Sequence, residues 1–127
     1  MTTFLVCAAP ADTVEEVRAR LAAEEEHGAD VDAVVVLEDG RLVDDVSLFA
    51  LATAPPSTAM GDLVADEPPV TVAPTATVRE VAERLTEARR PSVLVCDGER
   101  VLGRILADDV LDALLPGRRH HFPRLLQ

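Results

Sequence analysis

The sequence predicts a mixed α/β (α+β) fold in which two β-α-β-β-α units, each of about 50 to 60 residues, pack as a pseudo-symmetric pair. Three observations predict it. The stretch Thr13-Val-Glu-Glu-Val-Arg-Ala-Arg-Leu21 returns 64 residues later (77 − 13) as Thr77-Val-Arg-Glu-Val-Ala-Glu-Arg-Leu85, with six of nine positions identical. Both copies open with the same helix-start signal. In both, an Asp-Gly dipeptide then separates two apolar runs.

The elements follow in order. Each copy begins with a short apolar stretch, Phe4 to Ala9 or Val70 to Ala73, closed by Pro10 or Pro74 at the repeat offset. Thr13 with Glu16, and Thr77 with Glu80, have the spacing of a capping box, in which hydroxyl and carboxylate satisfy each other's free backbone amides. Apolar residues then recur at helical spacing: Val14, Val17 and Leu21 in the first copy, and Val78, Val81, Ala82 and Leu85 in the second. The first helix is expected to end near Gly28 and the second before Pro91. Two hairpins come next, Ala33 to Leu37 with Arg41 to Ser47, and Ser92 to Cys96 with Arg100 to Leu106. Asp39-Gly40 and Asp97-Gly98 turn them, since Gly accepts the positive φ that a tight turn requires. The partner of each hairpin is expected to be the strand before its helix. Closing helices run about Leu48 to Thr53 and Ala107 to Leu115, the latter stopped by Pro116-Gly117. Ala54-Pro55-Pro56-Ser57 reads as a linker, which divides the chain into residues 1–61, residues 62–116 and a basic tail over 117–127. Units this small are marginal alone, so the two should share a core.

Composition limits the function. Aromatic residues make up 2% of the 127, so the core must be aliphatic. The formal charge of -11 repels phosphate backbones and anionic headgroups, which argues against nucleic acid and against direct membrane insertion. Cys7 and Cys96 lie in apolar runs and read as small core hydrophobes in a reducing compartment, so a cytoplasmic location is expected. His27, His120 and His121 are too scattered for a metal triad. With no nucleophile elbow, phosphate-binding glycine loop or zinc-protease motif in the sequence, the reading is that the chain is not an enzyme.

A β-α-β-β-α unit occurring twice, with proline before the first helix, Asp-Gly in the hairpin and an acidic helix after the last strand, resembles the CBS domain pair, or Bateman module. The resemblance spans roughly residues 1–116. It is closest to the cytosolic CBS pair of MgtE-type magnesium transporters, on the longer first copy, the phrase from Gly40 to Leu48, the linker Leu51 to Pro56 and the ending Asp108-Asp109-Val110-Leu111-Asp112. It implies a regulatory module, a homodimer formed through CBS helices whose apolar faces include Leu48, Leu51, Val110, Leu111 and Leu114, and attachment to a transporter or other effector domain.

It also implies candidate sites. The family's adenosine-nucleotide segment, G-h-h-[ST]-x-x-D, falls on Asp44 to Ala50, where Ser47 keeps the hydroxyl but Gly has become Asp44 and the ribose Asp has become Ala50. In the second copy it falls on Gly103 to Asp109, where Gly103 and Asp109 survive but Leu106 replaces the hydroxyl. Thr71 and Arg90 are further candidates for nucleotide contact. Losing one hydrogen-bonding member costs on the order of 1 to 3 kcal/mol, so weak or absent nucleotide binding is expected. Ser47 and Asp109 also have a structural use open to them, as helix-capping groups. For a divalent cation such as magnesium, the candidate ligands are Asp44 and Asp45, of which strand alternation should expose at least one, and Asp108 with Asp112, which share a helix face. Three functions stay open at this point: a magnesium-responsive regulator, an adenosine-nucleotide sensor, and a ligand-free dimerisation module.

Overall fold

The structure is a computed structural model and describes residues 1–26, 28 and 31–115. The expected basic tail, its His120 and His121, the Pro116-Gly117 stop and His27 lie outside the described residues.

Each unit begins with a two-residue strand, β1 (Cys7–Ala8) or β4 (Thr71–Val72). A helix follows, α1 (Val14–Ala22) or α3 (Val78–Ala88). Both helices carry the expected capping box in full: the Thr13 and Thr77 hydroxyls accept the Glu16 and Glu80 amides, and the glutamates accept the threonine amides in return. The first helix stops at Ala22, well short of Gly28. Glu24, Glu25 and Glu26 follow at its C-terminal end, where the helix dipole and their mutual repulsion both oppose carboxylates. α3 ends before Pro91 as expected, with Arg89 left-handed at its C-cap (φ 53°).

The hairpins are β2 (Ala33–Glu38) with β3 (Arg41–Ser47), and β5 (Ser92–Asp97) with β6 (Arg100–Leu106). β1 joins β2 in parallel and β4 joins β5 in parallel, so each unit has a three-stranded sheet, ordered β1-β2-β3 or β4-β5-β6. The first turn places Asp39 and Gly40 both at positive φ, while in the second Asp97 stays paired with Arg100 and only Gly98 takes positive φ. The two Asp-Gly dipeptides are thus one position out of register between units. α2 (Leu48–Thr53) and α4 (Ala107–Leu114) close the units.

The strands explain the shared core. β2 and β5 read as unbroken apolar runs because both of their faces are buried. Val34 and Val36 turn toward the helices of their own unit, packing with Ala8, Val14, Val17, Val46, Leu51 and Met60. Val93 and Val95 do the same with Val72, Val81, Leu85 and Val110. The alternate residues, Val35 with Leu94 and Cys96, meet between the two sheets, with Leu5, Leu37, Leu42 and Val101 packed around them. Segments are also exchanged. Thr2 pairs with Arg104 on β6 of the other unit, and Met60, Leu63 and Val64, which follow the proline linker, pack on the first unit's core. The linker itself is held, since the Pro56 and Thr58 carbonyls accept the amides of Glu15 and Val14.

Several expected burials differ. Cys96 is buried, and burial and then the charge of Asp45 push its thiol up, whereas Cys7 is exposed at the end of the short β1 rather than in the core. Val78 is 42% exposed because it lies in the first turn of α3, on the rim of a shallow apolar recess toward α4. Arg18 carries a role that its helical position did not suggest: its guanidinium donates to the carbonyls of Leu51, Ala52 and Ala54 and so caps the C-terminus of α2. Its repeat counterpart, 64 residues on, is Ala82, so α3 and α4 lack this tie.

The sheets are joined at their centre by a buried ion pair. Arg104 donates from Nη1 to Asp45 Oδ2 and from Nη2 to Asp45 Oδ1, both at 2.7 Å, with the two residues 2% and 6% exposed. Burial pulls the Arg104 guanidinium down, but the hydrogen bonds and charge of Asp45, helped by Asp32, more than reverse this and hold it above its ordinary value. Removing one partner leaves an uncompensated buried charge. Asp45→Asn or Arg104→Met should therefore lose about 3 to 5 kcal/mol of stability in urea unfolding, and the joint change Asp45→Leu with Arg104→Met should recover most of it. Removing the exposed Arg41–Glu99 pair at the hairpin tips should cost about 1 kcal/mol or less.

Candidate functional site

The two β-strands that close the hairpins, β3 and β6, carry the candidate residues, and equivalent positions 59 apart (100 − 41) have diverged. Asp44 corresponds to Gly103, Asp45 to Arg104 and Ser47 to Leu106. The expectation that alternation exposes one carboxylate of Asp44-Asp45 fails: the two are 7% and 6% exposed. Both sides of β3 are covered here, one by the second sheet and the other by the segment leading into β4.

Asp45 faces the second sheet and is occupied by Arg104. Arg90 Nη2 lies 3.6 Å from Asp45 Oδ2 and donates to its carbonyl at 3.3 Å. Ser92 completes the arrangement, accepting from Arg104 Nη1 at 2.8 Å and donating to Asp32 Oδ1 at 3.0 Å. Asp45 thus has internal cations where a metal ion was expected. Sequence reasoning missed Arg104, Ser92 and Asp32. An arginine inside the apolar run Arg100 to Leu106, placed where the other copy has an aspartate, was the available signal.

Asp44 faces the opposite way. Its Oδ1 accepts the Asp45 amide at 2.8 Å and its Oδ2 accepts the Ala65 amide at 2.9 Å. It lines a cleft of about 410 Å³ between the units, together with Glu67, Val70, Arg84, Glu87 and Arg90. Arg90, a candidate for nucleotide contact, thus lies at this cleft, and Thr71 lies beside it in β4, paired with Leu94.

The remaining candidates are not brought together. The Ser47 hydroxyl accepts the Ala50 amide at 3.2 Å and caps α2. Asp109 accepts the Leu106 amide at 3.1 Å at the start of α4, and its Oδ2 lies 3.6 Å from the Met1 nitrogen. Asp108 is exposed and Asp112 half-buried on the outer side of α4. Among the described residues no three His, Cys, Asp or Glu side chains gather as a metal cage. The second half-site is covered by the chain itself: Thr2 exchanges two backbone hydrogen bonds of 2.9 Å with Arg104, passing directly over Gly103.

Two β-α-β-β-α units joined face to face, with a cleft between them, define a tandem-repeat module. Residues 60–116 match the CBS domain family, and the chain as a whole has the fold of a CBS pair close to the MgtE type. It is similar to the cytosolic domain of the Mg2+ channel MgtE solved in complex with ATP, at 28% identity and a TM-score of 0.79 over 89% of this chain and 46% of that one. The soluble part of a magnesium transporter matches at 24% identity and 0.79, over 90% of this chain and 45% of that one. A CBS-domain containing protein from Agrobacterium tumefaciens shares the fold at 21% identity and 0.70, over 89% and 91%. This chain therefore spans about half the length of the first two structures. No curated protein matches it. No described helix is long and apolar enough to cross a membrane.

A Cβ at Gly103 would fall 2.7 Å from the Thr2 carbonyl oxygen and 3.0 Å from Met1 Sδ. Gly103→Val should therefore expel the Met1–Thr2 segment, at a cost of about 1 to 3 kcal/mol, and expose the Arg104 amide to hydrogen exchange. Gly28→Ala, with nothing within 4 Å, should change stability by about 0.5 kcal/mol or less.

Proposed function

We propose that the chain is the regulatory CBS pair of a magnesium-transporter-like protein, and that it responds to divalent cations by changing how its outer helices pack against a second copy or an effector domain. The observation that supports this is the likeness to the cytosolic domain of a Mg2+ channel over 89% of the chain. The charge of -11 supplies the physics: two such surfaces repel each other when brought together. A divalent ion binding better to the apposed state than to the separate one shifts the balance toward it, and carboxylates suit such an ion.

The face that favours this is on α4. Of the apolar residues expected at a dimer contact, Leu51 and Val110 are buried in their own unit and Leu48 packs on the first core. Leu111 and Leu114 stay 42% and 51% exposed, with Asp108 and Asp112 on the same helix. Burial of the leucines would favour association and the carboxylates would oppose it until a cation intervenes. Adenosine-nucleotide binding is the second reading, favoured by the Arg84 and Arg90 guanidiniums in the inter-unit cleft and by the ATP complex of the MgtE domain.

The decisive comparison is magnesium chloride against sodium chloride at equal ionic strength, followed by sedimentation and thermal melting. Magnesium should strengthen association beyond sodium, and Asp108→Asn with Asp112→Asn should remove that increment while leaving the sodium response. Equal responses to the two salts would overturn the cation reading. Leu114→Asp should weaken the dimer by about ten-fold or more, since it places a charge in an apolar contact.

A further inference from the structure

We infer that the C-terminal end of α4 is a guanidinium-binding site, and that its occupant is the Arg118-Arg119 pair of the chain's own basic tail. The inference is independent of the cation response proposed for the same helix.

The first unit shows such a site filled by an arginine. α2 closes with the bond from the Ala54 amide to the Ala50 carbonyl, at 3.1 Å. The next carbonyl, that of Leu51, would take its helical bond from residue 55, which is a proline and has no N–H to give. Arg18 supplies the missing donors. Its Nε and Nη2 reach the Leu51 carbonyl at 3.0 and 2.6 Å, and Nη2 also reaches those of Ala52 and Ala54, at 3.2 and 2.6 Å. The guanidinium also meets the negative pole of the helix dipole, in a last turn that has no basic residue of its own.

The second unit repeats the need without the arginine. α4 closes with the Leu115 amide on the Leu111 carbonyl at 3.0 Å, and the residue four beyond Asp112 is again a proline, Pro116. The last turn of α4 has no basic residue either, and the arginine of α1 is replaced in α3 by Ala82. Ala82 packs beside the core that holds Val110 of α4, and it also lines a groove of about 430 Å³ with Glu83, Thr86, Glu87 and Arg79, whose Nε lies 3.7 Å from Glu83 Oε1. Space and acidic charge thus stand beside the position where the first unit has its arginine. α4 is two residues longer than α2 (8 − 6), about 3 Å of helix, which an arginine side chain can span. The sequence places new donors directly after it. Arg118 and Arg119 stand three and four positions beyond Leu115, within about 15 Å of extended chain, and no acidic residue follows Asp112 to hold them locally. This cationic segment complements the helix dipole and the three carboxylates of α4, Asp108, Asp109 and Asp112, which favours it over the acidic surface of a second copy.

The test is amide hydrogen exchange of the full chain, read at Ala113, Leu114 and Leu115. Arg118→Gln with Arg119→Gln should speed exchange there by about three- to ten-fold and leave the amides of α2 unchanged. Arg124→Gln, which removes the same charge farther along the tail, should change it by less than about two-fold. Adding Ala82→Arg to the double variant should restore most of the protection, since it builds into the second unit the arrangement that Arg18 makes in the first. Unchanged exchange in the double variant overturns the proposal. A loss that Arg124→Gln reproduces, or that Ala82→Arg fails to repair, assigns the effect to diffuse attraction between tail and acidic helix and overturns it as well. Protection that survives in the double variant and grows with protein concentration identifies a second copy as the occupant and overturns the assignment to the tail.

Discussion

The bidentate contact between Asp45 and Arg104 is the constraint around which the two units are arranged. These residues occupy equivalent positions in the repeat, 59 apart, so they sit where the pseudo-two-fold relation brings β3 and β6 together. A strictly symmetric pair of units would place two identical side chains against each other there. Two arginines or two aspartates would be a buried like-charge contact, and two apolar residues would leave the relative placement of the sheets to shape alone. One residue of each sign satisfies the position and specifies it. Arg104 also reaches Ser92, and Ser92 reaches Asp32, so the charges are embedded in a satisfied network; among the described residues no buried side-chain polar atom lacks a partner.

Once the centre has been made asymmetric, the flanking positions are free to diverge, and they do so one residue before the pair and two residues after it. Asp44 and Gly103 precede the ion pair, and their difference decides what each outer face can hold: a carboxylate that ties down Ala65 in one unit, and a bare backbone over which Thr2 passes in the other. Ser47 and Leu106 end the same strands. The serine caps α2 with its own hydroxyl, while α4, lacking that group, takes a reverse cap from Asp109 to the Leu106 amide. The helices diverge similarly, since Arg18 fastens the end of α2 and Ala82 offers α4 nothing equivalent. The first unit is thus the more firmly tied, while both closing helices leave apolar side chains open, Phe49 on α2 and Leu111 and Leu114 on α4.

The parts of this fold that were legible in the sequence are those set by neighbours along the chain. The capping boxes at Thr13 and Thr77, the hairpins, the strand that precedes each helix and the span of α2 all depend on residues a few positions apart. What was not legible depends on the other copy. Alternation within β3 says that Asp44 and Asp45 point in opposite directions, but not that both directions are covered, because one cover comes from the second sheet and the other from residues 65–70. A pair of adjacent carboxylates on a strand therefore looked like a surface site and proved to be one structural charge and one cleft wall. Arg104 was hidden for the same reason, since its partner lies in the other repeat. The early stop of α1 was local and could have been foreseen from the three glutamates that follow it.

This arrangement bears on how a signal could travel through the module. Arg90 lines the cleft and also touches the central ion pair, through the carbonyl and the carboxylate of Asp45. A ligand that engages Arg90 competes with Asp45 for its charge, and the loss falls on a pair whose other member, Arg104, is hydrogen-bonded through its backbone to Thr2 on the far side. The contacts from cleft to centre run between charged groups, of which Asp45 and Arg104 are buried and weakly screened, and from there backbone hydrogen bonds lead to Thr2 at the opposite edge. The apolar layer of Val35, Leu94 and Cys96 beside it resists continuous deformation, so a change at the pair is more readily taken up as a shift of one unit against the other than as local relaxation. α4 extends directly from β6, which carries Arg104, so such a shift would move the helix that presents Leu111, Leu114, Asp108 and Asp112. The same ion pair that fixes the two units in register is thereby the place where occupancy of the cleft and packing of the outer helix can be coupled.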